Sequence, residues 1–310
     1  MKLLIGGSPC THWSIAQTKN RETEASGIGW ELFLNYRIAR DKYKPDYFLY
    51  ENNKSMSPAI RTQITAELGV EPVLINSALV SAQNRQRLYW VGKREPDGTY
   101  IQVRVEQPED RGILLRDILE TGICWREKSY ALTASSHSAT AEDMFASRQR
   151  NGVAEPKNPT TAKQIYEVRE GKISIGNTWY PIKLRDGFYI IRKLTVRECM
   201  RLQTVPDTYA FPVSDTQAYK MLGNGWTVDV IAHIMSHFTG LTEEPVEVLS
   251  MYDGMSCGHI ALDKLGAEIT TYYATEIDKY AIQTTQHNFP ETIQLGDAFQ
   301  VRNDDWRVEE

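Results

Sequence analysis

The sequence predicts an α/β protein, a doubly wound and mostly parallel sheet carrying a second, smaller domain. Two observations point there. Short apolar runs recur along the chain, each ending at or just before a small or acidic residue, and several lead into stretches with helical patterning. Between about residues 92 and 190 that alternation fades into polar, turn-rich sequence, which marks the smaller domain.

Taken in order, "KLLIGG" reads as a strand that empties into a glycine-rich turn carrying Cys10, and "DYFLYEN" as a strand that carries Glu51 near its end. "SPAIRTQITAELG" has a serine start, a proline in the first turn and a glycine stop, the signature of a helix. The middle, with "GKREPDGTY", "TASSHSATAED" and "SRQRNGVAEPKNPTT", reads as loops and short strands, Arg148 and Arg150 lying close together. Regularity returns in "VDVIAHIMSHFTG", which sets Ile231, Ile234, Met235 and Phe238 on one helical face ahead of Gly240. "VEVLSMYDG", "TYYATEID" and "TIQLGD" then read as strands ending at Asp253, Glu276 and Asp297, with the helix "GHIALDKLG" after the first. Ligands of such sheets sit outside the carboxyl ends of the strands, so Cys10, Glu51, Asp253, Glu276 and Asp297 are expected along one edge. A single acid leaving a strand is commonly a helix cap, but five chemically capable groups in this arrangement suggest a site.

The chain of 310 residues is long enough to bury a substantial core, and no apolar run approaches the roughly 18 to 20 residues that cross a bilayer. The first apolar run stops at Ile5, too soon for a signal peptide, so a cytoplasmic location is expected. The four cysteines, Cys10, Cys124, Cys199 and Cys257, form no C-x-x-C pair, so free thiols are expected and neither a metal nor a disulfide framework. A net charge of -5 argues against broad attraction to polyanions and makes any nucleic-acid site local.

Cys10 follows Pro9 in a turn where backbone N–H groups favour a thiolate. Glu51 can supply a proton or hydrogen bond to a ring nitrogen. In "SAQNRQRLYW", Arg85 and Arg87 stand at strand spacing, so both guanidiniums are expected to point the same way, toward a phosphate or carbonyl oxygen or out from an exposed edge. "MYDGMSCGHIALDKLG" orders strand, Gly254, Gly258 and helix, with Glu276 about twenty residues later to bind ribose hydroxyls. Its spacing departs from G-x-G-x-x-G and suits a nucleoside with a small charged tail better than a dinucleotide.

"GGSPCTHWS", "YENN", "QNRQRLYW", "RKLTVRECMRLQTVPDTY", "MLGNGWTVDVIAHI", "SMYDGMSCG", "YYATEIDKYA" and "LGDAF" together resemble the DNA (cytosine-5) methyltransferases, above all the group with the de novo enzymes and their phage and bacterial relatives. The resemblance spans the chain except its middle. Thr11 and Asn53 stand where the family commonly has glutamine and valine. The motif order also differs, because the catalytic motifs lead and the cofactor motifs close the chain, which looks like a circular permutation. The resemblance implies a Rossmann-like methyltransferase sheet with a target recognition domain. Residues 1–110 would form the catalytic half, 111–190 the recognition domain and 191–310 the remainder with the cofactor half.

It further implies that Cys10 adds to carbon 6 of a cytosine flipped out of duplex DNA, with Glu51 holding the ring nitrogen and exocyclic amine. Arg87 and Arg85 would steady the base oxygen and the adjoining phosphate, and Asn52 would support the loop. S-adenosylmethionine would be held by Asp253, Gly254, Met255, Glu276, Ile277 and Asp297, with Asn224, Gly225 and Trp226 completing the pocket. Arg197, Glu198 and Arg201 would organise the domain interface rather than perform chemistry. The implied partners are double-stranded DNA and a cognate restriction endonuclease. Three alternatives stand beside this one: methylation of transfer RNA, a non-catalytic DNA-binding homologue, and, from the glycine turn alone, a nicotinamide-dependent oxidoreductase.

Overall fold

The computed structural model describes residues 1–9, 12–14, 21–147, 150–157 and 164–303. Cys10, Thr11 and Arg148, singled out above, lie outside the described residues. In chain order the first elements are β1 (Lys2–Gly6), α1 (Gly27–Tyr43), β2 (Tyr47–Asn53), α2 (Pro58–Leu68), β3 (Pro72–Asn76), β4 (Gln83–Asn84), β5 (Gln86–Arg94) and β6 (Tyr100–Gln102). Next come α3 (Leu115–Ile118), β7 (Ser129–Tyr130), β8 (Val153–Pro156), β9 (Tyr166–Arg169), β10 (Lys172–Ile175), β11 (Thr178–Pro181) and β12 (Gly187–Arg192). The helices α4 (Val196–Leu202), α5 (Asp215–Asn224) and α6 (Val228–Met235) precede β13 (Val246–Met251), α7 (Cys257–Leu265), β14 (Ile269–Thr275), α8 (Lys279–Asn288), β15 (Ile293–Gly296) and α9 (Ala298–Asn303). The chain forms two compact units, the first of residues 1–76, 86–108 and 228 onward, the second of residues 77–85 and 109–227.

The first unit is built on a sheet of order β15-β14-β13-β1-β2-β5-β3, with β6 on β5. Strands β15, β14, β13, β1 and β2 are parallel neighbours, while β5 runs antiparallel to β2 and β3. These five parallel strands are the five apolar runs picked out by sequence, so their carboxyl ends do share one edge. β1 is buried from Leu3 to Gly6 because a central parallel strand is covered on both faces. Helix α2 starts where the Ser57 hydroxyl accepts Ile60 N–H, holds Pro58 in its first turn and stops at Gly69, in the left-handed region at φ 74°. Helix α7 likewise stops at Gly266. Helix α6 ends at Met235 rather than running to Gly240, because the N–H groups of His237 and Phe238 bond three residues back and wind the chain into turns. Its stripe of Ile231, Ile234, Met235 and Phe238 is buried all the same.

The second unit holds an antiparallel sheet of order β11-β10-β9-β12-β8 and the pair β4-β7. Met144, Phe145, Val168, Ile173, Ile175 and Tyr189 form its core. The unit is wider than the segment 111–190 expected from sequence, since it also takes in 77–85 and 191–227. Buried polar groups make that grouping. Glu198 is fully buried, caps α4 by accepting Thr195 N–H, and receives Arg192 through both carboxylate oxygens at 2.9 Å. Gln83 donates to the Leu202 carbonyl and to Gln203 Oε1, both at 3.1 Å. Among the described residues no helix is long and apolar enough to cross a membrane.

Candidate active site

Two groups of side chains stand at the carboxyl edge of the first unit's sheet. The first centres on β2 and β5. Asn53 pairs with Arg87 in the antiparallel register, which sets Glu51, two residues back, diagonally across from Arg87 on one face. Arg87 Nε meets Glu51 Oε1 at 3.0 Å, and both side chains are mostly buried. On the other face of β2, Asn52 Nδ2 faces Ser8 O at 3.2 Å, Ser8 Oγ at 3.3 Å and the Tyr50 hydroxyl at 3.1 Å. Ser8 and Tyr50 share a hydroxyl–hydroxyl bond of 2.6 Å, and all three residues are buried. Burial pushes the Tyr50 phenol well up, so it stays protonated and available to donate. Two residues before Cys10, the turn after β1 is therefore fastened to the strand that carries Glu51. Nothing in the sequence flags Ser8 or Tyr50 for this work, because a tyrosine inside an apolar run reads as core.

The second group lies past β13, β14 and β15. The loop after β13 is tightly wound: Tyr252, Gly254 and Ser256 have φ of 60°, 60° and 56°. The left-handed region is costly for residues with a Cβ, so surrounding bonds must hold Tyr252 and Ser256 there. Asp253 does part of this, accepting the Ser250 hydroxyl at 2.6 Å and the Tyr272 hydroxyl at 2.8 Å on one oxygen, and the Ser256 hydroxyl on the other. Enclosure raises the Asp253 carboxyl above the ordinary aspartate value against these donors. Glu276 accepts three backbone N–H groups, from Gly254 at 2.8 Å, Ile277 at 2.7 Å and Asp278 at 2.8 Å. Asp297 caps α9, accepting Phe299 N–H at 2.9 Å. Ile277 is 74% exposed, an isolated apolar side chain next to the acid, whereas Met255 is buried. A Cβ added at Gly254 or Gly296 would meet nothing within 4 Å, so both strand-end glycines face open space.

The remaining residues predicted for the site belong to the second unit. Arg85 does not form a same-facing pair with Arg87. The strand is broken between Asn84 and Gln86, and the Arg85 guanidinium is buried, donating to the carbonyls of Leu132 at 3.1 Å, Gly223 at 3.2 Å and Gly225 at 2.9 Å. It thereby holds the Asn224–Trp226 turn from behind, together with Gln203, which donates to Leu222 O at 2.6 Å and Gly225 O at 3.0 Å. Thr227 donates to Gln203 Oε1 at 2.9 Å and accepts from Ser77 at 2.9 Å. Asn224 itself is exposed. Arg201 pairs with Asp207 at 2.6 Å and Arg197 with Glu120 at 3.3 Å, contacts that organise the second unit.

These elements define an α/β protein with a mostly parallel sheet, acids at consecutive strand ends and a glutamate–arginine pair at the same edge. Comparison with known proteins narrows this: residues 1–239 match the C-5 cytosine-specific DNA methylases, and the chain belongs to that family. It is 28% identical over 265 residues to the type II methyltransferase M1.ScrFI of Lactococcus lactis subsp. cremoris, covering 78% of this chain and 63% of that protein. It is 28% identical over 251 residues to M.NlaX of Neisseria lactamica, covering 75% and 74%. The chain thus spans less than two thirds of the first of these relatives. Among solved structures, the S. pombe Dnmt2 methyltransferase gives a TM-score of 0.38 at 14% identity, covering 62% of this chain and 66% of that one. A prophage-encoded DNA modification methyltransferase candidate of E. coli gives 0.46 at 17% identity, covering 78% and 79%.

Proposed function

We propose that the protein methylates carbon 5 of a cytosine flipped out of a short motif in duplex DNA, through a covalent adduct with Cys10. The observation that carries this reading is the Glu51–Arg87 pair at 3.0 Å, on the strand fastened by Asn52 to the turn just before Cys10. Family membership supports the reaction class.

Membership in a methyltransferase family implies S-adenosylmethionine, and the strand-end residues fit it. Glu276 is presented by three backbone amides for the ribose hydroxyls, Ile277 offers an exposed apolar surface, Asp297 stands at the end of the next strand, and Gly254 leaves room beside the tight loop. When bound, that cofactor supplies an electrophilic methyl group. The chain's own residues then act on the base. The Cys10 thiolate adds to carbon 6, which makes carbon 5 nucleophilic. Glu51 holds the ring nitrogen and exocyclic amine while charge moves into the ring, and Arg87, held against Glu51, meets the base oxygen. After methyl transfer, loss of the carbon 5 proton and departure of the Cys10 sulfur restore the aromatic ring. Arg85 acts as a positioning residue for the Asn224–Trp226 turn, its guanidinium being occupied by carbonyls.

Base-specific contacts would come from loops within residues 122–190 of the second unit, by arginine, asparagine or glutamine reaching base edges. We read the motif order as a circular permutation, a reading supported by β13–β15 coming last in the chain while lying on the far side of β1 from β2. A cytoplasmic setting with a cognate restriction endonuclease accords with the type II relatives. The test is sequencing-based mapping of cytosine modification on unmodified DNA incubated with S-adenosylmethionine and either wild-type protein or Cys10→Ala. Modification at one short motif, absent with the variant, is expected; no modification by folded, cofactor-bound wild type would overturn the reading.

A further inference from the structure

We propose that Tyr272 is a positioning residue for the cofactor: its buried hydroxyl, acting through Asp253, holds the Tyr252–Ser256 loop in its binding shape. The inference rests on the cofactor reading given above and adds a residue to it. Tyr272 sits on β14, one strand away from the loop, and is 1% exposed. In the parallel register it lies opposite Val248, and Ala274 opposite Ser250, so Tyr272 and Ser250 project from the same face of the sheet. Both hydroxyls reach the same oxygen of Asp253, at 2.8 Å and 2.6 Å, while Ser256 takes the other oxygen. Ser256 also meets Thr285 of α8 at 3.1 Å, and Thr285 reaches back to the Gly254 carbonyl at 3.3 Å. The loop is thus closed into a ring of bonds whose hub is the Asp253 carboxylate.

The packing is shaped around this tyrosine. A Cβ on Gly258 of α7 would come within 3.1 Å of the Tyr272 hydroxyl and 2.2 Å of Ile5 Cδ1, so the glycine leaves the space the phenol occupies. The His259 ring lies 4.8 Å from the Tyr272 ring and stacks on Phe289 at 3.7 Å, which fixes the ring plane. Burial pushes the Tyr272 phenol well above its ordinary range, so it remains a donor. A carboxylate enclosed in this way depends on each of its donors, because hydrogen bonds to the charged form offset the loss of water. The loop in turn presents Gly254 N–H to Glu276 at 2.8 Å, linking the tyrosine to the ribose acid without contact between them.

Calorimetric titration with S-adenosylhomocysteine across pH, on wild type, Tyr272→Phe and the control Tyr273→Phe, tests this. Tyr273 projects from the opposite face and packs, half-buried, against the main core. Removing one hydroxyl from a charged acceptor is expected to weaken binding by about tenfold in Tyr272→Phe. The loss should appear in KM for S-adenosylmethionine rather than in kcat, and Tyr273→Phe should match wild type. The pH profile separates positioning from simple destabilisation. With fewer donors on the charged form, Asp253 protonates at higher pH, so the acid-side loss of affinity begins at higher pH than in wild type. The titratable groups around this pair are Glu276, which acts on Asp253 from beyond β14, and Cys257 and His259 on α7, which lie against Tyr272; the substitution leaves all three in place. Equal affinity and an unmoved profile in Tyr272→Phe would overturn the inference, whereas failure of wild type to bind would overturn the cofactor reading instead. If Tyr272→Phe does not fold, Ser250→Ala removes the other donor to the same oxygen and carries the same expectation, with an unmoved profile again overturning it.

Discussion

Glu51 and Arg87 form an ion pair at the carboxyl edge of the sheet, which makes their separate loss informative. Glu51→Gln keeps the shape and removes the carboxylate, so the rate of methyl transfer should fall by about 10²–10³-fold, as for other acid–base groups, with cofactor affinity unchanged. Single-turnover kinetics on duplex DNA checks it, and an unreduced rate would place the base elsewhere. Arg85→Lys, by contrast, should leave DNA affinity unchanged, since the buried guanidinium is directed to three backbone carbonyls rather than to the surface. A gel-shift titration in which it loses affinity as steeply as a phosphate contact would contradict the positioning role. Residue types and spacing made Glu51, Arg87 and the three strand-end acids legible. Spacing alone makes Arg85 and Arg87 a pair, but strand spacing implies common direction only along an unbroken strand, and this one breaks at Arg85 itself. The Ser8–Tyr50–Asn52 bonds were legible only at Asn52, since they form between segments more than forty residues apart.

Among the elements, α5 is held tightly against backbone at Gly223. A Cβ on Gly223 would lie 2.2 Å from the carbonyl carbon of Thr133 and 2.4 Å from the nitrogen of Ala134, both backbone atoms that cannot rotate aside. Gly223→Ala should therefore destabilise the second unit by about 1–3 kcal/mol, the usual cost of overpacking, or more if the 133–134 segment is displaced outright. Thermal unfolding followed at the tryptophans measures it, and a neutral result would mean that α5 shifts without cost. The five parallel strands and helices α2 and α7 were readable because apolar run, strand-end residue and helix caps agreed locally. The antiparallel strands β3 and β5 carry no comparable punctuation, and the boundary of the second unit is set by buried long-range bonds such as Gln83–Gln203, which leave no periodic trace.

At the scale of the molecule, the chain passes between its two units four times, at residues 76–77, 85–86, 108–109 and 227–228. The units nonetheless differ in how acid should affect them. In the second, the Thr121 hydroxyl and Arg192 lower the Glu155 pKa, and Arg201 lowers that of Asp207. A carboxyl lowered in the fold lends stability above its unfolded pKa and loses it as pH falls through the folded value. Asp253 in the first unit is raised, so its contribution is present at low pH and lost as pH rises through its folded value. Below the ordinary carboxylate range, near pH 4, amides of β8 and β12 should therefore lose protection before those of β13 and β14. Hydrogen exchange read by mass spectrometry on a descending pH series would show the order, and simultaneous loss would contradict it.

The position of β1 carries a further consequence for synthesis. It pairs with β13 from Lys2↔Glu247 to Gly6↔Met251, so the two strands at the middle of the sheet are separated by nearly the whole described chain. On a ribosome adding about 5–20 residues per second, β1 emerges on the order of 10 to 50 seconds before its partner exists. Until then its apolar edge is open, covered on one side at most by β2. The wait predicts slow maturation, with an unpaired strand edge open to wrong pairing for as long as β13 is missing.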